Sequence, residues 1–519
     1  MSNQSRSAWG SRLGFILAAS GSAIGLGNIV FFSARAYEYG GGAFYLPYLI
    51  ALAVVGLPVL IVELGLGRAR GGAFPHALGS IVGRAGEFQG WWAIMNALTI
   101  TMYYITLLGW VAGMGWRAFT GTLFEPSVPV DGFGMELGEM PNPTASFFDM
   151  ISDWGVLVAV VLVWLVNILL VSTGTRGIER AVRWLMPMLW VCMGGLAVVG
   201  FTLPAGTDGM WLLLTPQFGA LASPVVWNGA FAQIFFTLSL GFGVMTAYAS
   251  YLPRRSDDVA NAAAVAGLNC LFELVAGLAV FSLLASFALP PRASTLAMMF
   301  FIVPAGIGQL PVAISLIGTL FFTLLLVAGL TSSVSLLEAA ISALLDKFGG
   351  SRRRAVAVVC SIGIAGSMLF ALPVVIDAQL AQAGTLGLTL LDFIDHYANG
   401  YGLILVGVGE CVIVGWFMPR GALRQVINEH SRLKLGPWFD VLIRWVIPGV
   451  LLVSAGSAMR EELVRGTVYG TSDALVGVWG WLPVACLLIW LAGTLGAAGL
   501  LTIMPPGRTQ SGTNTGGHA

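Results

Sequence analysis

Apolar runs long enough to cross a lipid bilayer recur along the whole of this chain. Tyr45–Glu63, Val156–Val171 and Leu475–Met504 are the clearest of them. A helix needs about twenty predominantly apolar residues to cross the hydrocarbon core. Strands of a membrane barrel would instead alternate polar and apolar residues every second position, and these runs do not. Charged residues make up only 10% of the chain, against about a quarter in a soluble domain, so lipid must cover much of the outside. The sequence therefore predicts an all-α integral membrane protein of about twelve transmembrane helices. Their expected positions are Leu13–Tyr37, Gly42–Gly67, Gln89–Phe119, Val156–Ser172, Ile178–Leu203, Val226–Tyr251, Ala260–Leu289, Val312–Leu345, Ala355–Pro373, Gly387–Phe417, Val441–Met459 and Val476–Met504.

Charge orients these spans. Arg6 and Arg12 precede the first, Arg68, Arg70 and Arg84 follow the second, and Arg176, Arg180 and Arg183 follow the fourth. Arg254 and Arg255 follow the sixth, Lys347 and Arg352–Arg354 the eighth, and Arg420, Arg424, Arg432, Lys434 and Arg444 the tenth. The other side carries few basic residues among several acids. The excess of Lys and Arg marks the cytoplasmic side, which puts both termini in the cytoplasm of a plasma or inner membrane. Residues 1–12 form a cytoplasmic N-terminal segment, 13–417 the core, 441–504 two additional helices, and 505–519 a Gly-, Thr- and Asn-rich tail expected to be disordered. Asp131–Asp153 reads as a polar outer loop. The zero net charge gives no sign of nucleic acid. Five cysteines without metal-ligand spacing read as small buried hydrophobes.

Two of the spans are weakened where a helix should be strongest. The first contains Gly21-Ser-Ala-Ile-Gly-Leu-Gly-Asn28, and the sixth contains Ser239-Leu-Gly-Phe-Gly243. Small residues alone allow close helix packing. Paired interruptions at corresponding places in two halves of a chain point instead to a central transport site. The halves would be 13–203 and 226–417, an inverted 5+5 repeat with helices 1 and 6 broken. A broken helix offers free N–H groups and a positive dipole to a carboxylate, and its unwound carbonyls suit a dehydrated cation. Further oxygen donors stand at Asn28, Thr237, Asn269, Thr331 and Ser332, although a single membrane Ser or Thr often bonds back to its own helix. Glu273 lies one helical turn after Asn269, on the same face and deep in the seventh span. An intramembrane carboxylate costs about 2.5–3.5 kcal/mol unless paired, which marks it as a functional charge.

These residues resemble the neurotransmitter:sodium symporter family, in particular its bacterial amino-acid transporters of the leucine-transporter type. The likeness begins at Trp9-Gly-Ser-Arg-Leu-Gly14 and runs through Gly21–Asn28. It continues in Gly40-Gly-Gly-Ala-Phe44 with Pro47-Tyr48, in Gln233–Gly243 with Tyr248-Ala-Ser-Tyr251, and in Ala328-Gly-Leu-Thr-Ser-Ser333. The resemblance implies a sodium-coupled symporter with two sodium sites and no organic cofactor. One site would use the Ala23 carbonyl, Asn28, Thr237, Asn269 and the substrate carboxylate. The other would use carbonyls of Gly21, Ile24 and Ala328 with the hydroxyls of Thr331 and Ser332. The substrate, a small neutral amino acid, would be held by Ala23, Leu26, Gly27, Tyr104, Phe236, Ser239 and Ser332, with Ile100, Phe242 and Leu336 around its side chain. Gly25 stands where amine transporters of the family carry an Asp, so the substrate brings its own carboxylate. Glu273 matches the acid that replaces chloride in chloride-independent members. Arg6, Trp9, Tyr251 and Asp346 match a cytoplasmic gate, with Arg6 and Asp346 paired.

The match departs from the family pattern after Asn28. Phe31 stands in place of the outer-gate arginine, while Asp395 occupies the position of its acidic partner. Arg35, one turn beyond Phe31, is the candidate replacement, or a side chain that snorkels to the interface. Leu108 also stands where the leucine-type relative has a glutamate. The altered gate keeps a second reading open, a non-transporting amino-acid-binding sensor on the same fold. No nucleophile–base set and no metal-ligand cluster favours an enzyme. The oligomeric state is not legible in the sequence.

Overall fold

The computed structural model describes residues 8–125, 142–289, 295–376, 386–465 and 482–507. The described residues are almost wholly helical, and ten helices are long and apolar enough to cross a membrane. The pair Arg12–Ala23 and Gly27–Tyr37, bent by 56° at its break, makes an eleventh span. The expected sixth span takes the form of two short helices, Pro224–Thr237 and Val244–Ala249, neither long enough to cross alone.

Each break has a local cause. Ser11 caps the first helix by accepting the Gly14 N–H at 2.9 Å. That helix ends where Ile24 turns extended, with ψ 98°, and the chain resumes as a wide helical turn over Gly27–Phe31. In the sixth span Ser239, Gly241 and Gly243 all have positive φ (53°, 76° and 72°). No α-helix passes through three such residues. Glu63 of the second span holds the unwound strand in place: its Oε1 accepts the Gly241 N–H at 2.8 Å, and its backbone carbonyl accepts the Thr246 hydroxyl at 3.3 Å.

The two longest helices, Arg84–Thr120 and Ile314–Phe348, pack against each other at the centre of the bundle. Helices Gly155–Ser172 and Thr175–Thr202 lie at the periphery and present Val158, Leu162, Leu169, Trp184 and Val191 outward, as lipid-facing spans do. The expected outer loop Asp131–Asp153 differs where it is described, because Pro143–Ile151 is a helix. Asn142 caps it by accepting the Ala145 N–H at 3.1 Å, and Phe147 stacks on Phe300 with centroids 4.5 Å apart. Cap and aromatic anchor together outweigh the polar composition of the segment. Residues 126–141, and the tail from 508 on, lie outside the described residues.

Candidate functional site

The two breaks meet the seventh span in one buried hydrogen-bond network. Asn28 donates through Nδ2 to Thr237 Oγ1 at 2.9 Å and to Asn269 Oδ1 at 2.7 Å. Its own Oδ1 accepts the Gly25 N–H at 2.7 Å, so the side chain also pins the unwound turn. Asn269 donates to Thr237 Oγ1 at 3.0 Å, and Thr237 donates to Glu273 Oε1 at 2.7 Å. Gln233 reaches the same carboxylate oxygen at 2.8 Å, while Tyr48 donates to the other one. Glu273 is fully buried and accepts three hydrogen bonds. No cationic side chain forms an ion pair with it among the described residues. A buried carboxyl group thus lies one hydroxyl away from a set of neutral oxygens. That donor set fits a small hard cation.

A second cluster joins the first break to the eighth span. Ser332 Oγ donates to the Ser22 carbonyl at 3.0 Å and to the Ala328 carbonyl at 3.3 Å. Thr331 Oγ1 donates to the Ala328 carbonyl at 2.9 Å. Gly21 faces the same helix, where a β-carbon on it would be in van der Waals contact with Thr331 Cβ at 3.4 Å. Ser239 of the sixth-span break also donates to the Ser22 carbonyl, at 3.0 Å. Carbonyls and hydroxyls with no formal charge therefore converge from three spans.

Above the first network lies a cavity of about 700 Å³, with Leu26, Ile100, Tyr104 and Phe236 among its lining residues. Tyr104 Oη accepts the Leu26 N–H at 3.3 Å, beside the broken first helix. Two glycines make this floor possible. A β-carbon on Gly25 would sit 2.8 Å from Ser332 Oγ and 2.9 Å from Tyr104 Oη, and one on Gly27 would sit 2.3 Å from the Phe236 ring. Phe242 and Leu336 are buried, and neither lines the cavity.

The model of the sodium:neurotransmitter symporter family matches residues 6–125 and 147–478. This chain belongs to that family. An uncharacterized sodium-dependent transporter of Methanocaldococcus jannaschii is 37% identical over 459 residues, covering 87% of this chain and 90% of its own length. The sodium- and chloride-dependent taurine transporter of Rattus norvegicus is 26% identical over 528 residues, covering 92% of this chain and 82% of its own. Among solved structures, MhsT in complex with L-phenylalanine superposes with a TM-score of 0.73 at 30% identity. The match covers 87% of this chain and all of MhsT. The protein is thus a sodium-dependent membrane transporter and not an enzyme.

In this symporter the side of the bundle that carries Trp9 is packed shut. The Trp9 indole donates to the Tyr248 carbonyl at 2.9 Å and meets the rings of Tyr248 and Tyr251 edge-on. Tyr251 donates to Glu338 at 3.0 Å, and Glu338 also pairs with Arg352. Asp346 accepts the Ala73 N–H at 2.6 Å; Arg6, its expected partner, lies outside the described residues. At the opposite side Arg35 and Asp395 line the same cavity. Asp395 takes its hydrogen bonds from Tyr103 at 2.5 Å and Asn399 at 3.5 Å. Phe31 stacks on Phe236, centroids 5.2 Å apart and planes 15° from parallel.

Sequence reasoning did not give roles to Tyr48, Gln233, Glu63 or Glu338. The signal was available for the two acids, since both stand inside apolar spans. For Tyr48 and Gln233 the recurring motifs held the residues, but only the fold reveals that both point at Glu273.

Proposed function

We propose that this symporter moves a small neutral amino acid, hydrophobic or aromatic in its side chain, together with sodium and without chloride. The observation that carries this reading is the buried chain Asn28–Thr237–Glu273, with Asn269 hydrogen-bonded to the first two. One sodium would be held by the Ala23 carbonyl, Asn28, Thr237, Asn269 and the substrate carboxylate. A second would be held by carbonyls of Gly21, Ile24 and Ala328 with Thr331 and Ser332. Coupling then has a plain cause: each of sodium and carboxylate screens the other's charge in a low-dielectric site, so each raises the other's affinity, and reciprocally.

Glu273 supplies permanently, from within hydrogen-bond reach of Tyr48, Gln233 and Thr237, the negative charge that an exchangeable anion would otherwise bring. Tyr104, whose hydroxyl accepts the Leu26 N–H beside the broken first helix, would orient the substrate carboxylate. Ala23, Ser239 and Ser332 would complete the polar contacts, and Ile100 and Phe236 the apolar ones. The MhsT complex with L-phenylalanine supports a substrate of this class. Alternating access would open the packed layer of Trp9, Tyr251 and Asp346, with Arg6 as the expected partner of Asp346, as the outer side, with Phe31, Arg35 and Asp395, closes. The charge distribution supports cytoplasmic termini in a plasma or inner membrane.

The test is binding of a pooled amino-acid panel to the purified protein, in sodium and then in potassium. Sodium-dependent binding of one or a few neutral amino acids, lost in Asn28→Ala and in Thr331→Ala, is the expected result. Binding that is equal in both cations would sink the coupling assignment.

A further inference from the structure

Away from the transport path, a second pocket, of about 310 Å³, sits between the ends of the tenth and eleventh spans. Three arginines, Arg420, Arg424 and Arg444, line it against one acid, Asp440. Asp440 is taken by Arg424 at 3.0 Å. Arg420 and Arg444 make no ion pair among the described residues.

Arg444 is the decisive residue. Its guanidinium lies 5.2 Å from the ring of Trp416 and 5.7 Å from that of Trp445, and the Trp416 indole donates to the Arg444 carbonyl at 2.9 Å. The two rings hold the cation in place by their faces. They accept none of its N–H groups, and the buried Arg444 Nε has no hydrogen-bond partner. A buried N–H without an acceptor costs about 1–3 kcal/mol and a cation–π contact returns about 0.5–2 kcal/mol, so the rings offset that cost without satisfying the donor. An arginine fixed on aromatic faces with its planar donors unspent suits an anion with several oxygens, phosphate above all.

The surroundings say where such a phosphate comes from. The spans Gly387–Phe417 and Trp438–Val464 end and begin at this pocket. Trp416, Phe417, Val441 and Trp445 are exposed around it, which is the aromatic girdle expected where a helix leaves the hydrocarbon. A free anion has no use for an apolar wall, whereas the acyl chains of a lipid do. We propose that this pocket binds the phosphate headgroup of an anionic phospholipid, with its chains lying along the exposed aromatic surface. Basic pockets between transmembrane helices on the positively charged side bind acidic lipids in this way.

The test uses full-length purified protein and native mass spectrometry, with dioleoylphosphatidylglycerol, dioleoylphosphatidylcholine and inorganic phosphate as probes. Saturable retention of phosphatidylglycerol is expected, without competition from the other two. Combining Arg420→Gln with Arg444→Gln should weaken it about tenfold, which corresponds to about 1.4 kcal/mol. Arg420→Gln alone, at an exposed side chain without partners, should weaken it measurably without a folding defect. Arg354→Gln, an exposed arginine elsewhere, should leave it unchanged. Equal losses in Arg354→Gln and the double variant would reduce the effect to general surface charge and overturn the site. Retention unaffected by the double variant, or displacement by inorganic phosphate, would overturn it as well.

Discussion

Neutralising Glu273 tests the electrostatic basis of coupling directly. The carboxylate stands 2.7 Å from Thr237 Oγ1, so a cation touching that hydroxyl lies about 5 Å from the charge. At an effective dielectric constant of about 20 the attraction is about 3 kcal/mol, or roughly two orders of magnitude in sodium affinity. Glu273→Gln keeps the shape and removes the charge. The sodium concentration for half-maximal amino-acid binding should therefore rise by about 100-fold, with maximal binding recovered at high sodium. Glu273→Ser goes further, since it removes the charge and leaves the donors of Tyr48, Gln233 and Thr237 around a space the size of a carboxylate. Chloride should restore binding in that variant, and gluconate should not. Wild-type binding and uptake should be indifferent to the same exchange. The assay is radiolabelled amino-acid binding to purified protein across a sodium series, with chloride or gluconate as counter-ion. Wild-type sodium affinity in Glu273→Gln, or a chloride requirement in the unmodified protein, would refute the reasoning.

Gly25→Ala places a methyl group 2.8 Å from Ser332 Oγ and 2.9 Å from Tyr104 Oη; amino-acid binding should fall below detection while the variant still inserts and elutes as a single species. Tyr104→Phe deletes one hydrogen bond to a charged group, about 1.5–3 kcal/mol, so binding should weaken by roughly 10- to 100-fold, and an unchanged affinity would remove Tyr104 from the substrate site. Phe31→Ala removes a stacked pair worth about 0.5–1.5 kcal/mol beyond its buried area. Amino-acid release should accelerate by roughly 2- to 10-fold at unaltered sodium affinity, measured by dilution of pre-bound label. Asp258→Asn breaks the buried pair with Arg68, whose Nη2 lies 2.7 Å from Asp258 Oδ2, and leaves an uncompensated charge at a cost of about 3–5 kcal/mol. Its melting temperature should drop clearly, and a wild-type melting curve would mean that the carbonyls of Arg254 and Val426 suffice for Arg68.

What the sequence could announce, and what it could not, divides along a physical line. Helix breaks are local: the glycines of Gly21–Asn28 and Ser239–Gly243 weaken the chain wherever it folds, and both breaks are present. Asn269 and Glu273 share a face by helical period alone, and the structure puts both on the Asn28–Thr237 network. The helix at Pro143–Ile151 escaped because its stability comes from Phe147 resting on Phe300, a contact more than 150 residues away in the chain. The same holds for Asp395, whose partners depend on the neighbour each helix meets. Sequence position offered Arg35, which lines the same cavity, and the fold adds Tyr103 at 2.5 Å. Phe31 completes the argument. As a departure from the family pattern it replaced the arginine expected at its own position, with Arg35 one turn beyond. In the fold it lies flat on Phe236, the residue whose close approach Gly27 permits. An aromatic stack then stands where the gate arginine of the family pattern was expected, and such a stack closes by excluding water. The consequence is specific: the contribution of the Phe31–Phe236 stack to outer-side closure should depend little on ionic strength, because stacked aromatic surfaces, unlike exposed ion pairs, are not screened by salt.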